Sequence, residues 1–187
     1  MKKYLLILFL TLFLTLFSNE TKAQIKENII QKLEKINNIS FNFEQNINGK
    51  IENGNCIVQY PKKIYCVYNL NNKKILVSDG KSLVIKTKTS YYLYPLDKTP
   101  LNLILDKGYL IDKVKSLKER TIDDKFINYT FNEKDNEINI FFNKINYELI
   151  GWQTLDIYQN LSITFLSSII KNQNLNENIF ILPRQTN

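Results

Sequence analysis

The stretch Ile39-Ser40-Phe41-Asn42-Phe43-Glu44-Gln45-Asn46-Ile47 decides how the rest of the chain is read. Its odd-numbered residues are apolar apart from Gln45, and the residues between them are polar. Side chains on a strand alternate between two faces, so this pattern predicts an antiparallel strand with one face buried and one in water. Just upstream the period is different. Ile25, Ile29, Ile30, Leu33 and Ile36 recur at helical spacing over residues 24–37, and Asn37-Asn38 stops the run.

Downstream the two-residue period continues in short bursts, with strands expected over 54–60, 64–70, 75–78, 82–86 and 90–94. Turn residues separate them: Asn48-Gly49, Asn53-Gly54, Pro61, Asn71-Asn72 and Asp79-Gly80. Asp-Gly between two apolar triplets is a strong hairpin signal, because glycine permits the positive φ of primed turns. The meander breaks at Thr99-Pro100-Leu101, where Thr99 is expected to cap a short helix, Pro100 to open it and Gly108 to end it. Leu101, Ile104 and Leu105 would share its apolar face, and a further helical or irregular stretch covers 110–118. Strands resume over 126–131, 137–143, 149–158 and 161–170, with turns at 132–136 and at Tyr158-Gln159-Asn160-Leu161 and a last edge strand over 179–183 ended by Pro183.

Composition removes whole classes of chemistry. The 187 residues suit one domain, and 44% hydrophobic with 23% charged residues fits neither a disordered chain nor a multi-span membrane protein. There is no histidine, which excludes Ser-His-Asp and Cys-His nucleophile systems and His-ligated metals. Two cysteines cannot build a four-thiolate metal site. The net charge of +7 is spread over interleaved lysines and acids without a tight basic cluster, so nucleic acid is not an expected partner.

Residues 1–23 read as an export signal. Lys2 and Lys3 precede an apolar run from Tyr4 to Phe17, shorter than the roughly 20 residues of a membrane span. Thr21-Lys22-Ala23 then offers small residues for cleavage before Gln24, and no cysteine follows to accept a lipid. An oxidising compartment gives Cys56 and Cys66 a meaning. They lie five residues either side of Pro61, so a hairpin there would set them opposite each other, as a cross-strand disulfide or as two buried thiols; the bridge is preferred.

Four features carry a resemblance. Phe43-Glu44-Gln45 is followed by Gly54 and, seven residues on, Pro61; Ile75-Leu76-Val77-Ser78-Asp79-Gly80 precedes Leu83; Thr99-Pro100-Leu101 opens a helix; and Phe180 and Pro183 follow a long hairpin. In this order the chain resembles the outer-membrane lipoprotein carrier protein (LolA) family over nearly all of residues 24–183. The resemblance implies an α+β, β-dominated fold: an unclosed antiparallel β-barrel with helices covering its concave face, as a single domain over 24–187. It also implies a periplasmic carrier that shields lipoprotein acyl chains and ferries them from a lipoprotein-releasing inner-membrane ABC transporter to the outer membrane. An outer-membrane acceptor is a further partner of that scheme. No bond is made or broken, and neither enzyme activity nor a cofactor is implied.

Strand parity and the proposed lid nominate a lining of Phe41, Phe43, Val58, Tyr60, Tyr68, Tyr92, Leu101, Ile104, Leu105, Trp152 and Phe165, with Cys56 and Cys66 among them. By the resemblance, Leu101 and Ile104 match lid residues facing the cavity. One position departs from the family: its well-studied members carry an arginine before the proline, bonded to the lid, where this chain has Tyr60. A tyrosine hydroxyl can reach a carbonyl but cannot form a guanidinium fork. A monomer is expected. The alternatives are a related half-barrel for another lipophilic ligand, the outer-membrane lipoprotein acceptor, a periplasmic β protein without ligand, and a hydrolase using Asp79 or Asp123-Asp124.

Overall fold

The computed structural model describes residues 22–122, 125–133, 136–156 and 159–185. The leader up to residue 21, the Asp123-Asp124 pair and Tyr158 lie outside them. Helix α1 (Lys22–Glu34) leads into β1 (Asn38–Ile47), β2 (Lys50–Gln59), β3 (Lys63–Tyr68), β4 (Ile75–Asp79), β5 (Ser82–Lys86) and β6 (Tyr91–Pro95). A 3-10 turn (Leu96–Lys98) and helices α2 (Leu101–Ile104) and α3 (Lys107–Ser116) follow. The chain then returns to strands: β7 (Arg120–Ile122), β8 (Phe126–Glu133), β9 (Asn136–Asn143), β10 (Leu149–Leu155) and β11 (Leu161–Lys171).

Among the described residues, eleven strands form one antiparallel sheet in the order β6-β5-β4-β3-β2-β1-β11-β10-β9-β8-β7. Apart from β6 and β7, strands that are neighbours in the chain pair with each other, and the contact of β1 with β11 splices the two meanders together. Strands β6 and β7 end the sheet without pairing to each other, so the barrel is unclosed. Inside it, α1 buries Ile29, Ile30 and Leu33, and α3 buries Leu110 and Val114, in one core cluster with Ile39, Val58, Ile127 and Tyr129. This apolar plug fills one end of the concave face.

Four local expectations need correction. Asn53-Gly54 is not a turn: β2 begins at Lys50 and runs straight through Gly54. The reversal happens entirely at Asn48-Gly49, both at positive φ (49° and 88°), where Gly49 N–H donates to Asn46 Oδ1 at 2.7 Å. Gly108 does not end a helix. Asp106 accepts the Tyr109 N–H at 3.1 Å and caps α3, so the helix starts where a stop was expected. Thr99 is not the cap of α2 either; its hydroxyl donates back to the Leu96 carbonyl at 2.8 Å and Pro100 holds the cap position.

The tail is no edge strand. Glu177–Phe180 is a 3-10 turn that buries Phe180, capped by Asn176. Glu177 ties it to the sheet by accepting from Gln59 Nε2 at 2.6 Å and Lys63 Nζ at 2.8 Å, bonds that hold its carboxyl below the usual range. A short strand, β7, also went unread.

Two glycines make contrasting tests. A Cβ on Gly54 would collide with the Val67 carbonyl and come within 2.9 Å of the Phe43 ring, whereas Gly49 has open space around it. Gly54→Ala should therefore cost about 2 kcal/mol or more through overpacking against backbone. Gly49→Ala should cost about 1 kcal/mol, from its left-handed backbone alone. Urea unfolding of both variants checks the order.

Candidate functional site

Strand registers arrange the concave face in rows. Phe41, Cys56, Cys66, Leu76 and Ile85 stand side by side across β1 to β5. In the next row Leu166, Phe43, Gly54 and Tyr68 align. A third holds Trp152, Thr164, Gln45 and Glu52, and a fourth Thr154, Ser162, Ile47 and Lys50. Polarity therefore changes along the face, from greasy at the first row to hydrophilic at the last.

These rows line a cavity of about 350 Å³, with Lys74 and Leu83 on its wall and Thr99, Pro100 and Leu101 across it. Phe41 meets Trp152 edge to face at 6.4 Å, and Phe43 meets Tyr68 likewise at 4.9 Å. Cys56 and Cys66, paired directly, form a disulfide with Cα atoms 4.1 Å apart. Gly54 has no side chain to stand between Phe43 and Tyr68, which is why the aromatic pair can close over it.

The cover is anchored at its far end. Leu105, just past α2, accepts the Lys62 N–H at 2.9 Å, and Lys62 Nζ lies 3.5 Å from Asp106. Ile104 and Leu105 are buried in the core, while Leu101 is half-buried and lines the cavity. The residue that touches this segment is thus the one after Pro61. Tyr60, before it, lines a separate small hollow with Ile36, Ile39, Leu149 and Ile169, where burial pushes its phenol above the ordinary range.

Of the nominated lining, Phe41, Phe43, Tyr68, Leu101, Trp152 and both cysteines meet at the cavity. Val58 is core, beside the helical plug. Tyr92 pairs with Ile85 in the first row but sits on the open edge, 43% exposed and stacked on Tyr94. Phe165 lies on the outer face, 42% exposed, stacked on Phe141 at 5.9 Å.

Its strand, β11, turns its polar members inward: Ser162 and Thr164 are buried, while Leu161 and Phe165 are exposed. The polar lining of Gln45, Lys50, Glu52, Lys74, Ser162 and Thr164 was not nominated. The signal for one of them was present: Gln45 interrupts an otherwise apolar face of β1.

Gln45 Nε2 donates to Ser162 Oγ at 2.9 Å and Thr164 Oγ1 at 3.3 Å. Glu52, its side chain only 5% exposed, accepts from Lys50 at 2.9 Å and Lys74 at 2.5 Å. Burial alone would raise the Glu52 carboxyl. The hydrogen bonds from the two lysines together outweigh it and hold the group below its ordinary value. Among the described residues, no three acidic or thiol side chains converge as metal ligands would.

A depressed folded value fixes the sign of the pH dependence. The ionised Glu52 contributes its stability above the ordinary carboxylate range and loses it as pH falls through the lower folded value. Glu52→Gln should therefore narrow its stability gap to wild type in acid, as measured by urea midpoints between pH 7 and pH 3. Disulfide reduction should cost about 2–3 kcal/mol, the entropy of closing a short loop, read from the same midpoints with and without dithiothreitol.

No curated protein matches the sequence. Among solved structures, a conserved protein from Thermus thermophilus aligns over 88% of this chain and 96% of its own at a TM-score of 0.51 and 8% identity. A LolA superfamily protein from Nitrosomonas europaea aligns over 88% and 99%, at 0.44 and 10%. Lipoprotein LppX from Mycobacterium tuberculosis aligns over 83% and 100%, at 0.45 and 13%. A sequence model described as outer membrane lipoprotein carrier protein LolA matches residues 34–182, and the chain belongs to that family.

Proposed function

We propose that this protein is an exported periplasmic carrier that shelters the acyl chains of lipoproteins. It receives them from an inner-membrane ABC transporter and hands them toward the outer membrane. The family is one of carrier and binding proteins, not of enzymes, and its fold suits lipophilic cargo. The observation that carries the reading is the hollow itself: a partly covered apolar space under Leu101, walled by Phe41, Phe43, Trp152 and the disulfide.

The physical need is plain. Each methylene of an acyl chain favours burial by roughly 0.8 kcal/mol, so a lipid anchor cannot cross an aqueous gap unescorted at a useful rate. A cavity of about 350 Å³ holds on the order of a dozen methylenes at ~30 Å³ each, about the volume of a water molecule. A cargo with several chains requires α2 to swing outward, and its few buried side chains keep that inexpensive. No step of the cycle needs a bond to be made or broken.

The test is release of a labelled lipoprotein from inner-membrane vesicles into solution. Wild-type protein should carry label into the supernatant. Leu101→Glu, which sets a charge on the half-buried underside of the cover, should lower the yield at least about tenfold while shifting the melting temperature little. Equal release with and without the protein would overturn the proposal.

A further inference from the structure

We infer that the polar end of the cavity is a head-group site for a single acyl chain terminated by an anionic oxygen group, a carboxylate or a phosphate. The chain would run toward the disulfide. The inference rests on the hollow being an acyl site, as proposed above, and adds a second ligand class, a free single-chain amphiphile distinct from the ester- and amide-linked chains of a lipoprotein, and which way it lies.

Gln45 Nε2 gives its hydrogen bonds to the Ser162 and Thr164 hydroxyl oxygens, so both hydroxyls still have a proton to offer. Lys74 Nζ lies 2.5 Å from one oxygen of Glu52 and 4.0 Å above the Tyr68 ring; Lys50 Nζ lies 2.9 Å from the other oxygen. An ammonium carries three donors, and one from each lysine goes to Glu52. Two hydroxyls and the remaining protons of two ammonium groups thus stand on this wall as donors, beside the Glu52 carboxylate that both lysines already flank, and a hydrocarbon can use none of them.

Charge agrees with the donors. Two ammonium groups flank one carboxylate and leave a positive balance on the β2 flank. Asp156, another acid on the cavity wall, stands past the end of β10, with β11 and β1 between it and Glu52. Lys74, whose side chain is 18% exposed, is mostly out of bulk water, where a charge-assisted bond is worth more; Lys50, at 71%, marks the mouth. The cavity's volume matches one chain of about a dozen carbons. A mere structural brace between strands would need neither the spare donors nor the hydroxyl pair beside it.

Isothermal titration with dodecanoate, dodecyl phosphate, dodecanol and dodecyltrimethylammonium tests this on the full folded chain. Dodecanoate or dodecyl phosphate should bind about tenfold more tightly than dodecanol, and the ammonium amphiphile most weakly. The better of the two anions identifies the head. Lys74→Gln should erase the preference for anions, bringing dodecanoate and dodecyl phosphate to the affinity the same variant shows for dodecanol. Glu52→Gln should act the other way and strengthen anion binding several-fold, because it releases both lysines from their acid.

Equal affinity for dodecanoate and dodecanol, unmoved by Lys74→Gln, would overturn the head-group site while leaving the acyl hollow standing. Uniform weakening of every ligand by Glu52→Gln would also overturn it, by making the bridge structural. Failure of all four amphiphiles to bind a protein with normal melting would overturn the hollow as well.

Discussion

The pairing of β1 with β11 is the contact on which the cavity depends. Every other strand pairs with a neighbour in the chain, so each half of the molecule could form a meander alone, with an unpaired edge. Joined, the halves curve one sheet around the helices. The junction is pinned at both ends: Asn172 accepts the Asn37 N–H at 2.7 Å, and Asn48 Nδ2 donates to Asn160 Oδ1 at 2.8 Å. A slip of one residue would turn Phe41 and Phe43 out to solvent. Register across β1 and β2 is held separately, because only at Gly54 is there room for the Phe43 ring.

With the registers fixed, the two ends of the concave face resist collapse for different reasons. At the apolar end the Cys56–Cys66 bridge and the T-shaped aromatic pairs hold the wall in shape. At the other end the polar groups already have partners within the wall: Gln45 with the two hydroxyls, Glu52 with the two lysines. Folding that end onto Phe41 and Trp152 would bury donors without acceptors, at about 1–3 kcal/mol each. A graded lining therefore keeps space open that a uniformly greasy one would tend to fill.

Much of this was legible in the sequence, for identifiable reasons. The alternation in Ile39–Ile47 and the Asp79-Gly80 hairpin report directly on strand faces and turn geometry, so the meander, the cysteine pair and the Phe41, Phe43 and Trp152 set could be read. Gly54 misled because glycine serves both a turn and a close ring contact, and only the partner strand shows which. Phe165 misled because hydrophobicity does not say which way a strand faces: on β11 Leu161 and Phe165 lie outside while Ser162 and Thr164 point in with Leu166. Lys74 carries no local signal at all. Its place on the cavity wall follows from the β3–β4 turn, which brings it over Tyr68 and beside Glu52.

The cover is built more lightly than what lies beside it. Helix α2 spans one turn and buries only Ile104, whereas α1 and α3 together bury five side chains in the plug. Its tether is a backbone bond from Lys62 to Leu105 and a part-exposed ion pair from Lys62 to Asp106, contacts worth about 1 kcal/mol apiece in such settings. Opening the cover thus exposes Ile104 and Leu105 and breaks two weak tethers, while the plug, buried among Ile127, Tyr129 and Val58, stays in place. In this chain the contact with the cover comes from the backbone just after Pro61 and not from the side chain before it. The carrier role proposed above requires release of what is held, and for that role a lightly tethered cover beside a firmly packed plug would give the cavity one side through which cargo leaves.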